Sequence, residues 1–388
     1  MYYLCFMFKS FKYRLYPTNV QKELIAKHIG CCRFVYNLAL ETKTMVYAGN
    51  KINLSPFDLM NQLPELKKEC TWLKEVNSQS LQQSITNMDM AFKMFFKGQN
   101  NFPKFKRKDS RGSFTIPQQV KIEGGLLKIP KFKKSIKMIF DRRFKGIIKK
   151  ATISRTPTDK YFVSILVDTG KKLPDKAPIV EATTVGVDLG IKTYLVCSDG
   201  TEYANPKNLR KVQSKLKYVS RKYSKYKGKR TKHCLVLLHE KVANKRKDFL
   251  HKTSTELIKN HDTVCIEDLC INGMLKNHNL AQSISDASWS MFVDMLKYKA
   301  DWYGKNILQI GRFEPSSKLC NVCGTIKHDL TLEDRVWTCK GCNTVLDRDV
   351  NASINIKSFA LKKYLSTGLI LKNQNELPTL VGVLTSEA

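Results

Sequence analysis

The most restrictive feature of this 388-residue chain is a set of four cysteines late in the sequence. Cys320-x-x-Cys323 and Cys339-x-x-Cys342 form two CxxC pairs with fifteen residues between them. That spacing suits a four-cysteine zinc ribbon, in which two knuckles each offer two thiolates to one tetrahedral ion. Gly324 and Gly341 sit where the knuckle turns need backbone freedom. Four thiolates close the coordination sphere, so such an ion is structural and keeps no open position for chemistry. The alternative is a redox role, but that needs only one CxxC, and the second pair exceeds it. The other eight cysteines (Cys5, Cys31, Cys32, Cys70, Cys197, Cys234, Cys265 and Cys270) are scattered in apolar surroundings. They read as reduced core residues, and with them comes the expectation of a cytosolic protein.

Charge narrows the partners. Lys plus Arg number 67 against 34 Asp plus Glu, a formal charge of +33. An excess of that size repels itself unless a polyanion neutralises it, which makes nucleic acid the expected partner. A soluble enzyme with a basic surface is the plainer alternative. A membrane surface is not expected, because the sequence has neither a long apolar segment nor a lipidation signal. The opening MYYLCFMFKSFKYRLYP is short, lacks a small-residue cleavage site and passes into strand-like alternation, so it reads as structure.

Along the chain, residues 8–16 alternate apolar and basic, as a half-exposed strand does. Pro17-Thr18-Asn19 ends that pattern, and Thr18 is placed to cap a helix beginning near Val20. A helical pattern follows to about Gly98, with loops expected at AGNKINLSP and before NSQSLQQSITNMDMAFKMFFK; Leu81, Ile85, Met88 and Phe92 read there as a core stripe. Residues 97–150 carry 17 Lys/Arg against Asp109, Glu123 and Asp141, and their glycine turns and short runs predict a small antiparallel sheet or barrel. The link KKLPDKAPIVEA then reads as a domain boundary. Residues 207–232 hold 12 basic residues, no acid, and Tyr218, Tyr223 and Tyr226. A basic helix without compensating acids, bearing tyrosines, is suited to phosphates and bases.

Three carboxylates stand out. In TVGVDLG, Val185 and Val187 share one side of a strand while Gly186 and Asp188 share the other. In HDTVCIEDLC the same alternation leaves Cys265 and Glu267 opposite Val264 and Ile266. LDRDVNASIN opens a helix that Asp347 or Asp349 could cap. Taken singly, each acid has an ordinary surface or capping reading. Taken together, three carboxylates from separate segments can bind two hard divalent cations, and such a pair hydrolyses phosphodiesters.

GVDLG, CIEDL, the ribbon preceded by PSSK, and LDRDVNASINI together resemble the TnpB (OrfB) proteins of insertion sequences, relatives of the type V CRISPR effectors. FKYRLYPTNVQKELIAKHIGCCRFVYNLAL, FPKFKRKDSRGSFTI and ISDASWSMFVDMLKYKADWYGKNI extend the resemblance from about Phe8 to Ile356. It implies an α/β RNase H-like (RuvC-like) nuclease domain with an inserted four-cysteine zinc ribbon, preceded by a β-barrel wedge domain carrying a helical recognition insertion. The expected segments are 1–17, the first wedge strand; 18–105, the helical insertion; 106–178, the wedge barrel; 179–316 and 344–360, the nuclease; 317–343, the ribbon; and 361–388, a tail.

The function implied is that of a transposon-associated, RNA-guided endonuclease. It would take a guide RNA (omega RNA) from the transposon end, open double-stranded DNA beside a short adjacent motif and cut it with Mg2+ or Mn2+. Carried over by motif, the catalytic acids are Asp188, Glu267 and Asp349, with Asp347 as runner-up, and the zinc ligands are Cys320, Cys323, Cys339 and Cys342. The nucleic-acid candidates are Lys211, Lys215, Arg221, Lys222, Tyr223, Lys225, Tyr226, Lys104, Lys106 and Arg107, with Gln79, Gln82, Gln83 and Thr115 in the region that would read the adjacent motif. The expected place is the prokaryotic cytosol, with the nucleoid. Guided systems delegate sequence reading to base pairing, which fits a charge spread over many segments. Three rivals share parts of this pattern: a guided DNA-binding repressor without cleavage, which should lack an acid of the triad; an autonomous DDE-like transposase, which needs no RNA; and a CRISPR-associated effector.

Overall fold

The structure, a computed structural model, describes residues 6–108, 112–331 and 333–366, so the expected tail beyond residue 366 lies outside the described residues. The chain divides into two compact units, Met1–Lys172 and Leu173–Ala388, with the division inside the proline-bearing link.

The first unit begins with β1 (Phe6–Tyr16) and continues through four helices, α1 (Asn19–Asn50), α2 (Pro56–Asn61), α3 (Leu63–Glu69) and α4 (Ser78–Phe96). Six strands follow: β2 (Gly112–Ile116), β3 (Lys121–Glu123), β4 (Leu126–Lys128), β5 (Ile136–Met138), β6 (Ile147–Arg155) and β7 (Tyr161–Lys172). With β1 they make one antiparallel sheet in the order β2-β6-β7-β1-β5-β4-β3. Thr18 caps α1 as its position predicts: its side chain accepts from the Gln21 N–H, and the Gln21 side chain accepts from the Thr18 N–H. The helix then runs through Ala48-Gly49-Asn50, where the sequence suggests a loop, and stops at Lys51 in a left-handed conformation. One glycine costs a helix about 1 kcal/mol relative to alanine, too little to end one that is already propagating. Leu81, Ile85, Met88 and Phe92 of α4 are buried in the unit's core with Ile25 and Val35 of α1 and Val163 and Ile165 of β7.

The second unit is built on a mixed sheet. Its strands are β8 (Thr184–Leu189), β9 (Thr193–Cys197), β10 (Glu202–Ala204), β11 (Thr263–Glu267) and β12 (Asn306–Ile310), in the order β10-β9-β8-β11-β12. The first three form an antiparallel meander, whereas β8, β11 and β12 run parallel. Between β10 and β11 lie α5 (Gln213–Tyr226) and α6 (Lys229–Asn260); between β11 and β12 lie α7 (Ile271–Met274), α8 (Ala281–Ala287) and α9 (Trp289–Tyr303). A two-stranded ribbon, β13 (Val336–Thr338) with β14 (Val345–Asp347), leads directly into α10 (Arg348–Ser366). Among the described residues no helix is long and apolar enough to cross a membrane.

Strand alternation decides which helices cover which face. Val185, Val187, Val264 and Ile266 pack with Leu250 and Leu257 of α6 and Phe292 and Leu296 of α9. On the other face Cys265, Leu308 and Ile310 pack with Ile356 and Ala360 of α10. Gly186 makes that second packing possible, because a Cβ there would lie 2.0 Å from the Ser353 carbonyl oxygen. The absence of a side chain brings the α10 backbone directly onto β8.

Candidate functional site

The parallel pairing of β8 and β11 advances one for one, ending at Val187 opposite Ile266. Asp188 and Glu267 each stand one residue beyond that pair, at the carboxyl ends of neighbouring parallel strands, where open α/β sheets collect their ligands. Helix α10 crosses the same face and brings Asp349 in its first turn. The electrostatics record the convergence. Burial pushes the Asp188 carboxyl up to about 7, and the negative charges of Asp349 and then Glu267 push in the same direction. Burial also raises Glu267, opposed by a hydrogen bond donated by the Ser316 hydroxyl to its Oε1 at 3.0 Å.

Asp349 is held from the ribbon side. Arg335 donates from one nitrogen to both carboxylate oxygens, at 2.9 and 3.2 Å, and Arg348 adds contacts at 3.2 Å. Asp347 plays a different part, because its Oδ1 accepts from the N–H groups of Asp349 and Val350 and so caps α10. Asp188 and Glu267 line an open cavity of about 1160 Å³ whose wall also carries Lys192, Lys207, Lys318 and Arg335. Acids and cations thus share the lining of one cavity. Oxygen-only donors suit Mg2+ or Mn2+. The three carboxylates are coupled at a wider spacing than the thiols, since among the described residues only the four cysteines bring three or more ligand atoms within 4.8 Å of one another.

Those thiols are Cys320, Cys323, Cys339 and Cys342, with Sγ–Sγ separations of 3.4 Å for Cys323–Cys339 and 3.7 Å for Cys320–Cys342. Zinc–sulfur bonds of ~2.3 Å at tetrahedral angles require about 3.8 Å between sulfurs, so the four thiols fit one ion. Two tight turns build the site: Gly324 N–H donates to the Cys320 carbonyl, and Asn343 N–H to that of Cys339. Gly341 leaves room for Thr325, whose Oγ1 would lie 2.3 Å from an added Cβ. The Thr325 hydroxyl beside Cys323 draws its thiol down to about 6, and the Thr344 hydroxyl likewise lowers Cys342. Trp337 and Leu346 bury the inner side of the knuckles.

The nucleic-acid candidates fall into two groups, one in each unit. Lys211 lies just before α5, and Lys215, Arg221, Lys222, Lys225 and Tyr226 are exposed on it, while Tyr223 is half-buried. The basic run is therefore not one helix: Lys227 turns left-handed and Gly228 starts α6. Lys104, Lys106 and Arg107 are exposed on the irregular segment after α4. In α4, Gln83 donates to Asn87 and Gln79 donates to Gln118, while Gln82 is exposed; Thr115 on β2 shares a hydrogen bond with Thr152 of β6.

Sequence reasoning missed Arg335, Ser316 and two buried amides of α10, Asn351 and Asn355. A lone arginine between CxxC pairs has no readable partner. The step Asn351-x-x-x-Asn355, however, puts two amides on one helix face, which is a signal for paired polar burial.

Comparison with known proteins adds an independent line. Residues 164–278 match the OrfB family model described as "Probable transposase", residues 289–356 match the "Cas12f1-like, TNB domain", and residues 7–51 match an OrfB "Helix-turn-helix domain". Those last residues fold here as one strand and one 32-residue helix. A Streptomyces pristinaespiralis protein named "Putative RNA-guided DNA endonuclease" is 37% identical over 91% of this chain and 89% of its own length. The Escherichia coli K12 protein named "Putative RNA-guided DNA endonuclease InsQ" is 31% identical over 90% and 91%. The solved "Cas12f1-sgRNA-target DNA complex" shares the fold at TM-score 0.55 and 15% identity, covering 88% of this chain and 83% of the other.

Proposed function

The chain belongs to the OrfB family of TnpB-like proteins, and on that premise we propose that it is an RNA-guided DNA endonuclease of the RuvC-like type. Its reaction is metal-dependent hydrolysis of phosphodiesters in double-stranded DNA beside a short adjacent motif, directed by a guide RNA from the transposon end. The second unit is the nuclease with its zinc ribbon, and the first is the wedge with its helical recognition insertion, its strands forming one seven-stranded sheet with β2 and β3 at the edges in place of the expected closed barrel. The observation that supports this reading is the placement of Asp188 and Glu267 at the carboxyl ends of two neighbouring parallel strands, with Asp349 in the first turn of the helix that packs on the same face, near enough for its charge to add to burial in raising Asp188.

Asp188, Glu267 and Asp349 would hold two cations of the Mg2+ or Mn2+ class, and Cys320, Cys323, Cys339 and Cys342 would hold zinc. When bound at the acids, such cations supply a polarised water and neutralise charge on the leaving oxygen. The protein's own groups do the rest. Asp188 would have to be ionised to serve as a ligand, so burial and its acidic neighbours would make loading favour higher pH. Ser316 orients Glu267 through its hydroxyl. Lys192, Lys207 and Lys318 line the cavity as counter-charges for a strand's phosphates, and Arg335 offers a guanidinium beside Asp349. The exposed cations of α5 neutralise backbone along a bound duplex without reading its sequence.

The test is direct. Purified protein carrying its co-purifying RNA is incubated with Mg2+ and DNA matching that RNA, with binding followed separately. Cleavage lost in Asp188→Ala and Glu267→Ala while binding persists is the expected result. A target that is bound yet intact with the unaltered protein would refute the assignment. Protein that cuts or joins DNA with no RNA present would favour the rival reading of an autonomous transposase.

A further inference from the structure

The ribbon leaves the sheet after β12 and returns as β14 and α10, so its root is the short segment 316–321. That root is gripped by α10. Asn351 Nδ2 donates to the Leu319 carbonyl at 2.8 Å and faces the Ser316 and Ser317 carbonyls at 3.5 and 3.4 Å, while its Oδ1 accepts from the Asn321 N–H at 2.9 Å. Asn355 Nδ2 donates to the carbonyls of Ser316 at 2.8 Å and Leu319 at 2.7 Å. Both amides are at most 3% exposed. Leu319 immediately precedes the first thiol, Cys320, and Asp349 is two residues before Asn351.

The same root touches the second acid, since Ser316, itself 5% exposed, donates to Glu267. On the ribbon's return side Arg335 pairs with Asp349, and its carbonyl accepts from the Arg348 N–H at 2.7 Å. Two of the three acids are thus held by residues of the thiol-bearing insertion and its root. Burying two amides on one helix face is costly unless every donor is used, and here they satisfy turn carbonyls that apolar side chains would leave orphaned. The polar path is continuous from Cys320 through Leu319, Asn351 and Asn355 to the turn of α10 that carries Asp349.

We propose that Asn351 and Asn355 are positioning residues that tie the four-cysteine site to the carboxylate site, so that zinc in the ribbon raises the affinity of the acids for a divalent cation. This rests on the reading of the acids as the cation site. Residues that orient metal ligands commonly change affinity ten- to a hundredfold when removed. Because coupling between two sites is reciprocal, a cation at the acids must also retain zinc in the ribbon by the same factor.

The experiment uses the full zinc-loaded chain and Mn2+ as probe. Free Mn2+ is read by its paramagnetic resonance signal, and zinc content and affinity by a metallochromic dye. Asn351→Ala/Asn355→Ala is expected to keep its zinc and bind Mn2+ about tenfold or more weakly. Equal Mn2+ affinity in the zinc-loaded variant would overturn the proposal. Should that variant lose its fold, Ser316→Ala removes a single hydroxyl and is expected to weaken Mn2+ several-fold; unchanged affinity there counts against the tie. The unaltered protein gives a further arm: Mn2+ should raise the ribbon's zinc affinity about tenfold, read by equilibrium competition with the dye, and a zinc affinity indifferent to Mn2+ would overturn the coupling. If the unaltered protein binds no Mn2+, it is the cation-site reading itself that fails, and this outcome is distinct from normal Mn2+ binding that ignores the asparagines.

Discussion

Asp188→Asn should make the second unit more stable while disabling it. The carboxyl is pushed from its ordinary 3.8 up to about 7, first by burial and then by Asp349 and Glu267. A raised carboxyl favours the protonated form in the fold, so its penalty is absent below about pH 4 and is incurred as pH climbs to about 7. Each unit is worth 1.36 kcal/mol, giving a ceiling of about 4 kcal/mol above pH 7. Asp188 is half-buried, so residual solvation trims this to roughly 2–4 kcal/mol. Asparagine keeps the shape and never ionises. At ~2–4 °C per kcal/mol for a unit of about this size, the variant should melt roughly 5–15 °C higher at pH 8. The gain should shrink to nothing toward pH 4. The assay is a tryptophan-fluorescence melt in zinc-containing buffer without Mg2+, in a Trp72→Phe background so that Trp289, Trp302 and Trp337 report only on the second unit. Saturating Mg2+ should then stabilise the Asp188 protein and not the variant, narrowing the gap by about 3 kcal/mol at a hundredfold excess over Kd. Equal stability at pH 8, or a gap that does not change with pH, would refute the raised Asp188 carboxyl and with it the burial and crowding from which it is derived.

Cys339→Ser should lose most of its bound zinc and lower the melting temperature, because four-thiolate zinc contributes folding free energy directly; zinc content and a melt on the same sample decide it. Gly186→Ala should cost about 3 kcal/mol or more, since its Cβ meets the Ser353 carbonyl at 2.0 Å, and cleavage should fall although every acid is retained; an unaltered urea midpoint would mean that α10 does not sit against β8 as described. Replacing Lys215, Arg221, Lys222 and Lys225 by Gln should weaken DNA binding whatever the sequence and flatten its logarithmic salt dependence by about 0.9 for each phosphate no longer neutralised; a slope that stays put would show that α5 does not touch the backbone.

What could be read from the sequence was local in origin. The CxxC spacing announces a shared ion because both knuckles are defined within a few residues, and alternation assigned Val185 and Val187 to one face and Gly186 and Asp188 to the other without any partner in view. The link near Lys172 was legible from its prolines, and α4 from its apolar stripe. The break in the basic run has one local sign, Gly228 between α5 and α6, set within otherwise unbroken charge. The contacts of Arg335 with Asp349 and of Asn351 and Asn355 with the carbonyls of 316–319 had none of this support. They join segments that become neighbours only after the ribbon has folded back, and nothing in either segment names the other. Motif resemblance marks Asp349 over Asp347; in the structure Asp347 caps α10 through one oxygen while Arg335 and Arg348 hold both oxygens of Asp349, partners that neither segment announces.

Helix α10 is also the last described part of the second unit to leave the ribosome. Until it arrives, the face of the sheet bearing Cys265, Leu308 and Ile310 is bare, the groove over Gly186 is open, and the cluster is one acid short. A chain still being translated therefore lacks both the cover of this face and the third acid until its last described segment emerges. Prematurely terminated products would leave that apolar face uncovered, a surface of the kind that proteases recognise.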